Sequence, residues 1–282
     1  MRRVTPELRY RIGAAASGLF PGAHRSHSGD SGFEFRGHAA LQDAPDARRL
    51  DLHASMRDPF GHWRVRLHSQ RKAIAVTIVA DLSASMGFVG AQRKLDVLAD
   101  FVESLAWSAW RAGDSFGFLG CDEFVRPEFA LPQTRRRGAG AALGAALREL
   151  ELRGRSARAL MQAHRHLPAR RTLVFLASDF HLPLPDVDAL LDSLALHDVV
   201  PVVLWQPQEF ELGAAQGLAQ VHEPETGANQ TLWWRPALRE RWRSAHQERR
   251  DALTARFRSR RLATLFIEGP FDADAVTRHF LA

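Results

Sequence analysis

Ala73-Ile74-Ala75-Val76-Thr77-Ile78-Val79-Ala80-Asp81-Leu82-Ser83-Ala84-Ser85 decides the reading of this 282-residue chain. Its first eight residues are apolar or β-branched without alternation, the pattern of a strand buried on both faces of a parallel sheet. The run then ends on a carboxylate and two hydroxyls, which a buried strand does not need. A second run, Thr172-Leu173-Val174-Phe175-Leu176-Ala177, ends in the same way on Ser178-Asp179.

Working outward, Lys94 to Arg111 carries Leu95, Leu98, Val102, Leu105 and Trp110 at helical spacing, and Ala112-Gly113-Asp114 stops it. Strands are expected at Ser115 to Gly120, near Phe124 to Phe129, at Val199 to Trp205 and at Ala263 to Glu268. Helices are expected at Ala139 to Leu150, Ala157 to Leu167, Asp186 to Leu196, Pro236 to Arg260 and Asp272 to Leu281. This alternation means a doubly wound, mostly parallel α/β sheet, Rossmann-like in build. Residues 1–71 are irregular, punctuated by Pro, Gly, Ser and His, and read as an N-terminal subdomain ahead of a 72–282 domain. Within that subdomain, Ile12 to Phe20 lacks a convincing cleavage site and reads as a helix of the folded protein rather than as a signal peptide.

Composition removes several classes. Hydrophobic residues make up 45% of the chain, enough for a sizeable core. The single cysteine, Cys121, excludes a disulfide framework within one chain and any Cys-x-x-Cys site, and fits a reducing cytosol. Lys72 and Lys94 are the only lysines among 38 basic residues, so the net charge of +6 is carried by arginine. Those arginines are scattered, and between Arg235 and Arg261 they alternate with Glu240, Glu248 and Asp251, a salt-bridged helix face rather than a phosphate track. No apolar run reaches the ~18 residues of a membrane span, so no transmembrane segment is expected.

In open α/β sheets, ligands bind beyond the carboxyl ends of the strands where the strand order reverses. Asp81-x-Ser83-x-Ser85 in such a loop can turn a carboxylate and two hydroxyls toward one point, an all-oxygen donor set for a hard cation. Its bland alternative is a helix cap, with a serine satisfying free backbone N–H groups. Gly138-Ala139-Gly140-Ala141-Ala142-Leu143-Gly144 has the wrong spacing and context for a dinucleotide fingerprint. No Gly-x-x-x-x-Gly-Lys-Ser/Thr occurs, so ATP chemistry belongs to a partner. His164 and His166, two apart, do not share a helix face. Trp233-Trp234 and the stretch Trp205 to Gln208 are more often core than contact surface.

Asp81-x-Ser83-x-Ser85 after a hydrophobic strand resembles the metal-ion-dependent adhesion site of von Willebrand factor A-like domains. That resemblance implies that Asp179 and a hydroxyl from a later loop complete the site. Where bacterial relatives carry Gly-Gly-Thr-Asp-Leu, this chain reads Arg153-Gly154-Arg155-Ser156-Ala157-Arg158-Ala159-Leu160, so Ser156 stands for the threonine with Arg155 and Arg158 beside it. The chain is closer still to the domain of unknown function fifty-eight family, bacterial von Willebrand A-like proteins associated with MoxR-type AAA+ ATPases. His24-Arg25-Ser26, Gly32-Phe33-Glu34-Phe35 and the segment Arg48 to Arg57 carry that likeness. It is a divergent member: Ala39, Leu41 and Ala44-Pro45-Asp46 replace an arginine, a tyrosine and Gly-Asp-Asp, and Leu52 replaces a tryptophan.

The resemblance implies a non-enzymatic, metal-dependent protein-interaction module. The metal set would be Asp81, Ser83, Ser85, Ser156 and Asp179, and the cation magnesium, with manganese and calcium as alternatives. A partner's Asp or Glu would complete the coordination. The partner would be a MoxR-type AAA+ ATPase or its client complex, and the chain an adaptor or co-chaperone in assembly or maturation. The expected location is the cytoplasm, with peripheral attachment at the inner membrane as the variant. Two other readings stay open. In a metal-dependent phosphohydrolase Asp81 would be the nucleophile, but Ser83 stands where the general acid is needed, and Lys72 and Lys94 lie in the wrong segments or on a helix. An arginine-rich nucleic-acid binder would betray itself by steep salt dependence.

Overall fold

The computed structural model describes residues 5–10, 21–25, 34–69, 71–210, 217–222 and 227–281. The expected helix from Ile12 to Phe20 and part of the His24 and Gly32 signatures lie outside them. The chain divides into two compact units, 12–74 with 112–114, and 1–11 with 75–111 and 115–282.

The larger unit is built on six strands: β1 (Ala75–Asp81), β2 (Ser115–Cys121), β3 (Val125–Thr134), β4 (Leu173–Ser178), β5 (Asp198–Trp205) and β6 (Leu265–Glu268). Their order across the sheet is β6-β5-β4-β1-β2-β3, parallel except for β3, which folds back antiparallel on β2. From β1 the chain first adds strands on one side and then, with β4, on the other. The order therefore reverses between β1 and β4. The β-branched run of β1 is buried at every residue, as a central strand covered on both faces requires.

Five helices cover the sheet: α1 (Lys94–Ala112), α2 (Ala139–Glu149), α3 (Leu184–Ser193), α4 (Pro236–Ser259) and α5 (Ala273–Leu281). Helix α1 buries Leu95, Leu98, Phe101, Val102 and Leu105 completely. The glycines of α2 serve packing: a Cβ on Gly140 would lie 2.4 Å from Ala106 Cβ, so α2 and α1 touch where side chains are missing. Residues 158–166 wind as a 3-10 helix, not the α-helix that the pattern suggests. Ala157, Leu160 and Ala163, three apart and all buried, line up on one edge only at three residues per turn. His164 and His166 are both exposed.

An unanticipated antiparallel hairpin, Gly217–His222 with Asn229–Trp234, precedes α4. Trp233 is exposed on it, whereas Trp205 at the end of β5 is buried, so the two tryptophan segments part company. The smaller unit contains an antiparallel pair, Glu34–Ala40 with Arg64–Ser69, and a short helix, Leu52–Met56, capped by the Asp51 carboxylate. Among the described residues, no helix is long and apolar enough to cross a membrane.

Candidate functional site at the carboxyl edge of the sheet

The parallel register of β1 and β4 pairs Ala80 with Ala177, which brings Asp81 level with Ser178 and places Asp179 just beyond. Both aspartates are 1% exposed. Asp81 Oδ1 accepts the Ser83 N–H at 2.9 Å and its Oδ2 accepts the Ser178 hydroxyl at 2.7 Å. The loop after β1 is then stitched to its neighbours: Leu82 N–H donates to Cys121 O at 2.7 Å and Ala84 N–H to Gly154 O at 2.8 Å. These bonds hold the Ser83 and Ser85 hydroxyls 3.2 Å apart in the interior.

Gly154 is what lets the later loop approach. A Cβ there would sit 2.5 Å from Asp122 Cβ, and Gly154 forms a parallel bridge with Ser83. Ser156, two residues on, is half-buried, and among the described residues its hydroxyl makes no hydrogen bond to the other four site residues. Arg155 and Arg158 are exposed. Asp81, Ser83, Ser85 and Asp179 are therefore gathered at the switch point, with Ser156 on the neighbouring loop.

The turn after β4 is held against its own preference. Phe180 has φ +53, a left-handed conformation that costs a non-glycine residue about 1–2 kcal/mol. Its N–H donates to Ser178 Oγ, the Arg249 guanidinium from α4 donates to the Phe180 and Leu182 carbonyls, and Trp205 Nε1 donates to Asp179 O at 2.8 Å. Backbone strain of this kind persists only where the surroundings over-determine it.

The residue missed in the sequence is Lys94. Set aside there because it lies on a helix, it is the first residue of α1 and is 1% exposed. Its Nζ stands 2.9 Å from Asp179 Oδ2 and 2.8 Å from Glu209 Oε1. Glu209, on the turn after β5, also faces His181 Nε2 at 3.4 Å. One of just two lysines in an arginine-rich chain was the available signal; its partners 85 and 115 positions away were not.

Burial opposes ionisation of both aspartates, and their neighbours separate them. For Asp81, burial and the charge of Asp179 push the carboxyl up to about 6. For Asp179, burial is outweighed by Lys94 and His181, with the Ser85 hydroxyl adding to them, and the carboxyl is held well below its usual range. Burial likewise works against the Lys94 ammonium, yet Asp179 and Glu209 raise its pKa. Burial, followed by Asp81 and Asp122, lifts the Cys121 thiol to about 12, which leaves it an inert small side chain.

As a cation site, the donor set is hard oxygen throughout, with two hydroxyls side by side between two carboxylates, and it fits magnesium in type. Among the described residues, no group of three His, Cys, Asp or Glu side chains is arranged to hold a metal, so the hydroxyls would be essential.

Residues 41–252 match the family model described as protein of unknown function DUF58. The chain belongs to that family. No curated protein sequence matches it. Among solved structures, this DUF58 chain is similar to BatB from Bacteroides thetaiotaomicron, at 12% identity and a TM-score of 0.44 over 74% of this chain and 98% of that one. It is also similar to an aerotolerance-related membrane protein from Bacteroides fragilis, at 12% identity and 0.41 over 73% and 95%. The SpRpn10 VWA domain aligns at 11% identity and 0.38 over 73% and 93%. The six-stranded, mostly parallel sheet of the DUF58 chain is the doubly wound α/β architecture expected from its alternating strands and helices.

Proposed function

We propose that this protein is a non-enzymatic interaction module that captures an acidic side chain of a partner at the carboxyl edge of its sheet, with the help of a divalent cation. The observation that carries the reading is the pair of adjacent hydroxyls, Ser83 and Ser85, set between two buried aspartates at the switch point. Ser83, Ser85 and Ser156 would hold the cation directly. Asp81, whose two oxygens are already engaged by Ser83 N–H and the Ser178 hydroxyl, would act through water, as would Asp179. Magnesium is the proposed ion; when bound it supplies the positive charge that a partner's Asp or Glu completes. Loops at this edge also expose Val89 and Phe124, apolar side chains suited to a protein surface.

By family, the partner is a MoxR-type AAA+ ATPase or the complex it remodels, and the chain acts as an adaptor in assembly or maturation in the cytoplasm. The hydrolase alternative gains nothing: Asp81 is buried with both oxygens occupied, and Ser83 cannot serve as the general acid. Nor does the nucleic-acid alternative, because arginines such as Arg148, Arg171, Arg256 and Arg260 are spent on carboxylates.

The test is the affinity of the purified chain for a MoxR-type ATPase in magnesium and after chelation, with Asp81→Ala compared and melting used to check its fold. Wild type in magnesium should bind about tenfold or more tightly than either wild type in chelator or the folded variant, a difference of ~1.4 kcal/mol. Equal binding by all three rejects the reading.

A further inference from the structure

We propose that Lys94 and Glu209 are built-in stand-ins for the cation and for the partner's carboxylate, so that the structure shows the site closed on itself and a divalent cation competes with Lys94 for Asp179. This deepens, and rests on, the metal-assisted reading above.

The geometry is that of a ligated site with both ligands supplied in cis. The Lys94 ammonium lies against Asp179 Oδ2 at 2.9 Å, on the carboxylate that would otherwise face a metal. Its other partner is Glu209 Oε1 at 2.8 Å, so the buried cation already carries a second carboxylate, the kind of group that a partner would offer. Glu209 is itself held on both oxygens: Oε1 also accepts the Gln206 N–H at 3.1 Å, and Oε2 lies 3.4 Å from His181 Nε2. Lysine and glutamate are therefore satisfied as a pair, and a divalent cation brought to Asp179, even through one bridging water, would lie within several ångströms of the buried ammonium and be repelled by it.

The loops over the lysine are packed to keep it there. Ala91 N–H donates to Gln208 Oε1 at 3.3 Å, and a Cβ on Gly90 would fall 2.5 Å from that oxygen and 2.7 Å from Gln206 Cβ. Only glycine lets the loop after β1 lie this close to the turn that carries Glu209. The same residues thus set a threshold for binding: a partner must offer enough acidic contact to displace an internal competitor that is always present.

Manganese titration by calorimetry and electron paramagnetic resonance tests this on three full-length proteins: wild type, Lys94→Gln, and Lys94→Gln with Glu209→Gln. The double variant removes one positive and one negative charge together. It keeps the site's net charge and avoids leaving both Asp179 and Glu209 without a cation, so it serves if the single variant does not fold. Both variants should bind one manganese ion with an affinity at least about tenfold above wild type. A gain in the single variant with none in a folded double variant would reduce the effect to added negative charge and overturn the competition. Equal affinity in all three also overturns it while leaving the metal reading intact. Absence of binding in every protein at millimolar manganese sinks both.

Discussion

The carboxyl edge of the sheet and the outer face of α4 both pair cations with carboxylates, but in opposite surroundings. At the edge, one lysine, 1% exposed, neutralises the buried Asp179 and the half-buried Glu209. On α4, Arg256 and Arg260 reach Asp188 and Asp192 of α3 across a surface where every partner keeps substantial contact with water. The α4 pairs have less consequence. A surface pair exchanges one well-solvated arrangement for another, whereas a buried pair leaves an uncompensated charge when one member is lost.

Replacing Lys94 with methionine sharpens this contrast most. It should destabilise the protein by about 3–5 kcal/mol in urea unfolding, because Asp179 stays buried and Glu209 half-buried without their cation. A loss as small as that of a surface arginine would break the comparison. Gly154→Ala comes next, at about 1–3 kcal/mol, since the new Cβ meets Asp122 Cβ rather than a flexible side-chain end. That variant should also weaken cation binding by moving Ser156, which separates loop placement from charge. Arg260→Ala, on the outer face, should cost only about 0.5 kcal/mol, and less in high salt.

Asp51 in the smaller unit provides a case between the extremes. A bond from Arg66, the Ala54 N–H and His38 hold its carboxyl well below the usual range. Because its folded pKa is depressed, its contribution is complete above the ordinary carboxylate value of about 4 and is lost as pH falls below it. The melting-temperature advantage of wild type over Asp51→Asn should therefore shrink between about pH 6 and about pH 3. An advantage independent of pH would show that the charge is not what Asp51 contributes.

Much of this was written in the order of residues. The unbroken β-branched run Val76 to Val79, the second run through Ala177 and the helical spacing from Leu95 to Leu105 determine buried strands, a covering helix and so a doubly wound sheet, since each is a local pattern of burial. The alternating charges of α4 likewise announce a solvated face, and Asp81, Ser83, Ser85 and Asp179 could be named as candidates because strand ends are where such sheets place their ligands. The three-residue winding of 158–166, the hairpin before α4 and the left-handed Phe180 were not legible, because each answers to packing from distant segments. Lys94 is the sharpest instance. On the chain it is one basic residue at the start of an amphipathic helix, and only the tertiary structure, by drawing the ends of β4 and β5 onto that helix terminus and excluding water, makes it the cation of the site.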